Sequence, residues 1–511
     1  MKVYTPEDLR FADKYTIENL GVSGVTLMDR AADALFDGLK EYIGKSGKFV
    51  ILCGKGNNGG DGWAVGMKLC RMFEKTVCIA VCGTPSTGDA LYFYDKCTAC
   101  EKESFPIRII NSDTPFTEIE DEISSADVIV DAIFGTGFSG SIEKDTLVHS
   151  VIEAANKKVC HKISADIPSG ANALTGKCSA VTFKADKTVT FAKPKIGMLS
   201  YPARSFCGKI TVADIGIPEE VFEMRNTKYE ASDNDLIRQY LPERNADSNK
   251  GTFGRLLVYA GSPDMTGAAH LALYGALRSG VGLTVFASDP YVTDIMKHRL
   301  SEPVFLNIND TDTDTDMLKE YSKKCTAVLI GCGLGTSEKT QKRVKRLIKE
   351  CECPIILDAD GINAVSDNIH IITEAKKGIL LTPHPLEFSR ISGLSLTEIC
   401  ENRLESAKNF AVKYNCTLLL KGAGTVICSP EGNVCINPAA CSALAKGGSG
   451  DVLSGIIASF AAQGVSLYES AVIGAYLHGR AGEELQKELS EYGVMPSDIP
   501  MKAAEILSKI I

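Results

Sequence analysis

The apolar positions of this chain fall in short unbroken runs separated by segments of helix length. Residues 49–53, 77–81, 128–130 and 188–191 form one series; residues 255–259, 283–286, 327–330, 354–357, 378–381 and 417–420 form a second. A strand that is apolar at every position is buried on both faces, as happens when helices cover both sides of a parallel sheet. The pattern therefore predicts an α/β protein of two domains, each a three-layer sandwich of helices, sheet and helices. Between the series, residues 216–250 carry Pro218, Pro242, Asn245, Asp247 and Asn249 with few apolar runs, which is linker composition. The boundary is placed near residue 225, giving domains at 1–225 and 226–511. No solenoid period or low-complexity tract is present.

Composition narrows the class of partner. With 55 Lys and Arg against 64 Asp and Glu, the net charge is −9, which argues against a nucleic-acid surface and against a polybasic membrane anchor. Small molecules are the expected ligands. Residues 1–8 lead into acidic helix-like sequence without an apolar core or cleavage site, so export is not expected. The most apolar late stretch, 455–477, is broken by Gln463, Ser466 and Glu469, which suits buried helices better than a membrane span. The 18 cysteines lie mostly inside apolar runs and read as free thiols in a reducing compartment, the cytoplasm. Cys97 and Cys100 have CxxC spacing, but no second CxxC completes a zinc site.

Glycine and acid cluster at the ends of the predicted strands, where open parallel sheets bind ligands. After the first strand comes Gly54-Lys55-Gly56-Asn57-Asn58-Gly59-Gly60-Asp61, then a helix. Gly54, Gly56 and Gly59 match GxGxxG, whose backbone N–H groups hold phosphate at a helix start. An ordinary dinucleotide fold wants an acid at the end of the next strand, and residues 77–83 contain none. Two further strand tips carry carboxylates before glycine turns: Asp131, followed by Gly135 to Ser141, and Asp166, followed by Ser169 and Gly170. Three tips with convergent oxygen groups point to a site.

This trio, together with the early helix around residues 27–31, resembles the epimerase domain of NAD(P)H-hydrate repair enzymes over roughly residues 1–220. The resemblance implies a Rossmann-like fold. It implies that Asn57, Asn58, Gly59, Gly60 and Asp61, with Gly135, Thr136, Gly137, Phe138, Ser139, Gly140 and Ser141, hold the hydrated dinucleotide, and that Asp166 contacts the nicotinamide ring as acid and base. It further implies a potassium ion among Asn58, Asp131 and Ser169, oxygen ligands suited to a hard cation. That family usually has Pro where Lys55 stands and Gly where Ala32 stands.

In the second series, Gly447-Gly448-Ser449-Gly450-Asp451 precedes an apolar helix. Successive N–H groups at a helix start form an anion hole, and an Asp there can take the proton of a hydroxyl that attacks phosphorus. The Walker GxxxxGK[ST] pattern is absent, so phosphoryl transfer of the ribokinase-like kind is expected, with Mg²⁺ neutralising the nucleotide phosphates. Lys421-Gly422-Ala423-Gly424-Thr425 supplies a second nucleotide-sized loop. With Gly261-Ser262, Gly331 to Gly335, Asp358 to Gly361 and Thr382 to Glu387, these motifs resemble the nucleotide-dependent NAD(P)H-hydrate dehydratase over roughly residues 235–505. The resemblance implies a ribokinase-like sandwich in which Ala268, Gly335, His384 and Asp451 contact the hydrate. By the same likeness Lys421 to Thr425 and Gly450 contact ADP or ATP, Asp451 is catalytic, and the protein is a multimer. The family usually reads Pro at Cys332 and Gly at Leu386. Of the seven histidines, His384 alone sits in a Pro-bounded strand-end loop, and His478 reads as a core or surface residue.

Two other readings stand beside the bifunctional enzyme. The same GGSGD chemistry serves a small-molecule kinase that leaves phosphate on its product, and the first domain read alone is also compatible with a dinucleotide sensor without turnover.

Overall fold

The computed structural model describes every residue except Ser46, Phe73, Asp310 and Asp312. The chain divides into two compact units, Lys2–Thr227 and Lys228–Ile511.

The first unit is built on seven strands: β1 (Lys48–Cys53), β2 (Lys75–Ala80), β3 (Ile107–Ile110), β4 (Val128–Ala132), β5 (His161–Ala165), β6 (Lys187–Phe191) and β7 (Lys209–Ala213). All pair in parallel, in the order β3-β2-β1-β4-β5-β6-β7. Ile51 lies between Cys78 and Val130 in this register. The strand order reverses between β1 and β4, so the loops that leave these two strands diverge and open a crevice at their carboxyl ends. Apolar layers fill both faces of the sheet, one around Phe49, Ile51 and Trp63, the other around Val50, Leu52 and Ile129.

The second unit adds β8 (Tyr229–Ala231), β9 (Arg255–Tyr259), β10 (Leu283–Ser288), β11 (Val304–Asn307), β12 (Ala327–Ile330), β13 (Ile355–Leu357), β14 (Ile379–Leu381), β15 (Thr417–Leu420), β16 (Thr425–Cys428) and β17 (Val434–Asn437). They form one sheet in the order β11-β10-β9-β12-β13-β14-β15-β16-β17-β8. It is parallel from β11 to β15 and turns antiparallel at β16 and β17. Its reversal lies between β9 and β12, which makes the loops after those strands the walls of a second crevice. Two helices below it meet backbone to backbone. A Cβ on Gly455, in the helix Ser449–Ala462, would lie 2.0 Å from the carbonyl oxygen of Ala272 in the helix Thr266–Arg278, and one on Gly275 would lie 2.6 Å from that of Val452.

The segment expected as linker is largely structured. It holds the helix Glu219–Glu223, the strand β8 and the helix Asn234–Tyr240. Of the residues that suggested a linker, Pro218 precedes the first helix; the last helix is capped by Asp233, which accepts from the N–H of Leu236 at 2.9 Å. The stretch 455–477 forms parts of the helices Ser449–Ala462 and Leu467–Gly493. Among the described residues no helix is long and apolar enough to cross a membrane. All 18 cysteines are free, with Cys97 and Cys100 buried in the helix Gly88–Lys102.

Candidate functional sites in the two units

In the first unit β1 is followed by Gly54, whose Cβ, if it had one, would lie 2.0 Å from the carbonyl oxygen of Ile133. One on Gly59 would lie 1.8 Å from the carbonyl oxygen of Gly54. The loops after β1 and β4 therefore touch main chain to main chain, and only glycine fits. The helix Asn57–Cys70 starts at once behind Gly56, which offers no capping side chain, so the first N–H groups are left for a ligand. A cleft of about 740 Å³ opens there, lined by Lys55, Asn57, Asn58, Asp61, the loop from Gly135 to Ser139, and Asp166.

Placement within this set is uneven. Gly59 and Gly60 lie behind the loop as packing positions, Gly60 against Met28. Ser141 is exposed and donates to Glu143 Oε1 at 2.6 Å. Neither Gly140 nor Ser141 belongs to the cleft lining.

Asp131, next to last in β4, is fully buried. One carboxylate oxygen accepts from Ser169 Oγ at 2.5 Å, the other from Ser169 N at 2.8 Å and Ser164 Oγ at 3.1 Å. These partners are neutral, and burial outweighs them, holding the carboxyl up at about 6. Ser169 also accepts from the N–H of Phe134 at 2.9 Å, which ties the β5 tip to the β4 loop. Both amide atoms of Asn58 are buried without a hydrogen-bond partner. Such orphaned atoms imply a ligand that the side chain faces. Asn58, Asp131 and Ser169 thus offer a hard, oxygen-rich donor set that lacks positive charge, and it fits a monovalent cation.

Asp166 stands at the β5 tip with φ of 65°, a strained setting for a non-glycine residue. Its carboxylate receives the buried ammonium of Lys195, which also donates to Thr190 Oγ1 at 2.7 Å and to the carbonyl of Phe191 at 3.0 Å. Asp13 and Lys195 line the cleft as well, and neither was found from sequence. Asp13 is open to the cleft yet held at about 6, by partial desolvation and then by the charge of Asp166. Asp61 is pushed well above the carboxylate range by burial, then by Asp166 and Asp13. One face of the cleft therefore holds an ion-paired carboxylate beside two carboxyls biased toward their protonated forms. That is an arrangement able to give and take protons.

In the second unit the loops after β9, β12, β13, β14 and β15 converge on the start of the helix Ser449–Ala462. Gly448, with φ of 99°, turns the chain into this helix without a side-chain cap. Asp451 lies in its first turn and is raised to about 6 by burial, then by Asp358. Asp358 is buried at the β13 tip. It accepts from Lys421 Nζ at 2.9 Å, Thr382 Oγ1 at 2.7 Å and Ser454 Oγ at 2.8 Å. Burial alone would raise it, and the Lys421 ammonium reverses the sign, leaving Asp358 below its ordinary value. Lys421 reaches Gly450, where a Cβ would lie 3.3 Å from Nζ, so one ammonium stands at the mouth of the glycine turn.

The remaining expected residues take these places. Gly335, with φ of 81°, donates its N–H to Asp360 at 2.8 Å. Ala268 lies at the start of the helix Thr266–Arg278, against the position a Cβ on Gly333 would take. His384 caps the helix Pro385–Ser392, its Nδ1 accepting from Leu386 N and Glu387 N at 3.2 and 3.3 Å, and its side chain remains half exposed. In the loop 421–425, Gly422 and Gly424 have φ of 150° and 64°, and Thr425 Oγ1 closes onto the Gly422 carbonyl at 2.9 Å. His478 is buried, and its Nε2 sits 3.0 Å from both the carbonyl and the hydroxyl of Ser449. Burial pushes it down to about 4, so the ring is neutral and braces the glycine turn from behind.

Comparison with known proteins agrees with this two-part reading. A family model described as NAD(P)H-hydrate dehydratase matches residues 256–504, and one described as YjeF-related protein N-terminus matches residues 24–197. Bifunctional NAD(P)H-hydrate repair enzymes of Moorella thermoacetica and Thermofilum pendens are 34% and 33% identical, over 98% and 97% of this chain and 95% and 94% of their own lengths. The Escherichia coli enzyme of the same name is 29% identical over 97% of this chain and 92% of its own. Among solved structures, a ribokinase-like superfamily protein from Enterococcus faecalis is 27% identical with a TM-score of 0.50, covering 56% of this chain and 97% of that one. An ADP/ATP-dependent NAD(P)H-hydrate dehydratase from Bacillus subtilis, co-crystallised with ATP and Mg²⁺, is 32% identical with a TM-score of 0.49, over 55% of this chain and 99% of that one. With two relatives above 30% identity along nearly the whole of both chains, this chain belongs to the family of bifunctional NAD(P)H-hydrate repair enzymes.

Proposed function

We propose that the first unit interconverts the R and S epimers of NADH and NADPH hydrated at C6, and that the second dehydrates the S epimer at the expense of ADP or ATP. The observation that carries the dehydratase reading is Asp451. It is a carboxyl held near 6, in the first turn of an uncapped glycine-led helix, with the Lys421 ammonium beside Gly450. Asp451 takes the proton of the C6 hydroxyl as its oxygen attacks the terminal phosphorus. The helix N–H groups and Lys421 hold the transferring phosphoryl group and its developing charge. The ring nitrogen then expels phosphate from C6, C5 gives up a proton, and the dihydronicotinamide ring is restored. With ADP the other product is AMP. Mg²⁺ brought with the nucleotide neutralises its phosphates.

In the first unit Asp166, poised by Lys195, serves as acid and base at the nicotinamide ring. Asn57, Asn58 and Asp61, with the loop from Gly135 to Ser139, hold the rest of the hydrate. Asn58, Asp131 and Ser169 hold K⁺, which would supply the positive charge that the neutral partners of Asp131 lack. Eighteen free thiols suit a reducing cytoplasm.

The test mixes both epimers of hydrated NADH with the protein, with and without ADP, ATP, Mg²⁺ and K⁺, and follows recovery of reduced-nicotinamide absorbance. Nucleotide-dependent recovery of both epimers, with phosphate released, is the expected result. Phosphate retained on the product would convert the second unit into a kinase, and no recovery with either donor would remove the dehydratase reading.

A further inference from the structure

We infer that Cys332 is a positioning residue for the dehydration base: its thiol, enclosed between the carboxylates of Asp451 and Asp358, holds Asp451 in place and ionised. The inference rests on the assignment of Asp451 proposed above. Cys332 follows β12 between Gly331 and Gly333, whose φ values of 128° and 62° turn its side chain into a fully buried position. Its Sγ and one carboxylate oxygen each of Asp358 and Asp451 lie within 4.8 Å of one another. The thiol donates to Asp358 Oδ2 at 3.7 Å. Asp358 has little need of it, because Lys421, Thr382 and Ser454 already donate to that carboxylate.

The thiol has a single proton, and rotation about its C–S bond can turn that proton from Asp358 to the Asp451 carboxylate, which has an oxygen within 4.8 Å of Sγ. Burial, then Asp358 and Asp451, push the Cys332 thiol far up, so it stays a neutral donor at every working pH. The groups that face Asp451 are Asp358 and Asp360 from the β13 end, Lys421 from the β15 end, and Cys332 from the β12 end. The helix Thr266–Arg278, which packs on the Asp451 helix, carries His270 and Arg278, and both engage Tyr274. His478 engages Ser449. Without the thiol, Asp451 faces two carboxylates with Lys421 as the remaining favourable partner. In the family resemblance the Cys332 position is usually Pro, which has no donor, so the tuning would be particular to this chain.

The experiment measures kcat/KM for nucleotide-dependent dehydration against pH in the full chain. The wild type is expected to lose activity as pH falls through about 6. In Cys332→Ala that limb moves up by about half to one pH unit, while KM for ADP stays within about twofold. Cys332→Ser, which keeps a donor, restores the wild-type limb. An Ala variant with the wild-type limb, or a Ser variant displaced as far as Ala, overturns the inference. If Cys332→Ala does not fold, Cys332→Pro removes the donor with the family's own residue and is read the same way. The carboxyl ¹³C resonance of Asp451, assigned with Asp451→Asn, gives the same titration without turnover. Absence of dehydration would thus refute the proposed function, while this titration still decides the role of the thiol.

Discussion

Replacing Lys195 by Met removes the ammonium from Asp166 while keeping most of the side-chain volume. Lys195 is 2% exposed and Asp166 is 7% exposed, so the pair is largely withdrawn from solvent at the wall of the cleft. Removing one partner of a buried ion pair costs about 3–5 kcal/mol, because the other charge is left uncompensated. The destabilisation of Lys195→Met should therefore be about 3–5 kcal/mol.

Trp63 provides the assay. It is the single tryptophan of the chain and lies fully buried in the helix Asn57–Cys70, so its fluorescence in a urea titration reports the first unit alone. That matters because a two-unit chain need not unfold in one step. A loss below about 1 kcal/mol would refute the pairing as the source of the effect.

Other outcomes follow from the same geometry. Asp451→Asn should lower nucleotide-dependent dehydration by about 10²–10⁴-fold with epimer exchange intact; a near wild-type rate would remove the base. Asp131→Asn should abolish any stimulation of epimer exchange by K⁺ and leave dehydration unchanged, measured by titrating KCl against a constant ionic strength. His478 has a depressed pKa, so the stability it contributes is present above about 6.5 and lost as pH falls through about 4. The second unit of His478→Gln should accordingly lose the part of its acid sensitivity that arises between those values, on the order of 3 kcal/mol, in thermal melts from pH 7 to pH 4. Gly455→Ala should give little soluble protein or a melting temperature lower by several degrees, since its Cβ would fall 2.0 Å from the Ala272 carbonyl oxygen.

The central strands of both sheets were legible because they are covered twice. Residues 49–53, 327–330 and 417–420 read as uninterrupted apolar runs and form β1, β12 and β15 with every position but Lys48 buried in those strands. Edge strands gave no such signal. In β7 all five positions are exposed or half-exposed, and β8 has three residues whose partner β17 lies some 200 positions away, a pairing no local pattern encodes. The site divides in the same way. Asp131, Asp166 and Asp451 stand in glycine-rich motifs at strand or helix ends, where sequence order and spatial order coincide. Lys195 and Asp13 come from elements outside those motifs, and only the folded sheet brings them to Asp166. A lysine directly before the apolar residues 196–199 was the one available sign. His478 looked like packing because its helix is apolar; its partner Ser449 is 29 residues away on the preceding helix.

The glycine contact between the helices Thr266–Arg278 and Ser449–Ala462 fixes a distance in main-chain atoms. The first helix starts near Ala268 and the second carries Asp451, so the span between these two helix starts is set without any intervening side chain. Drift among the surrounding Leu, Ile and Val residues can then alter melting temperature while leaving that span untouched. Reaction geometry and stability become separately adjustable. A lineage can shift its working temperature by changing the core without rebuilding its chemistry, and the positions closed to it are two glycines.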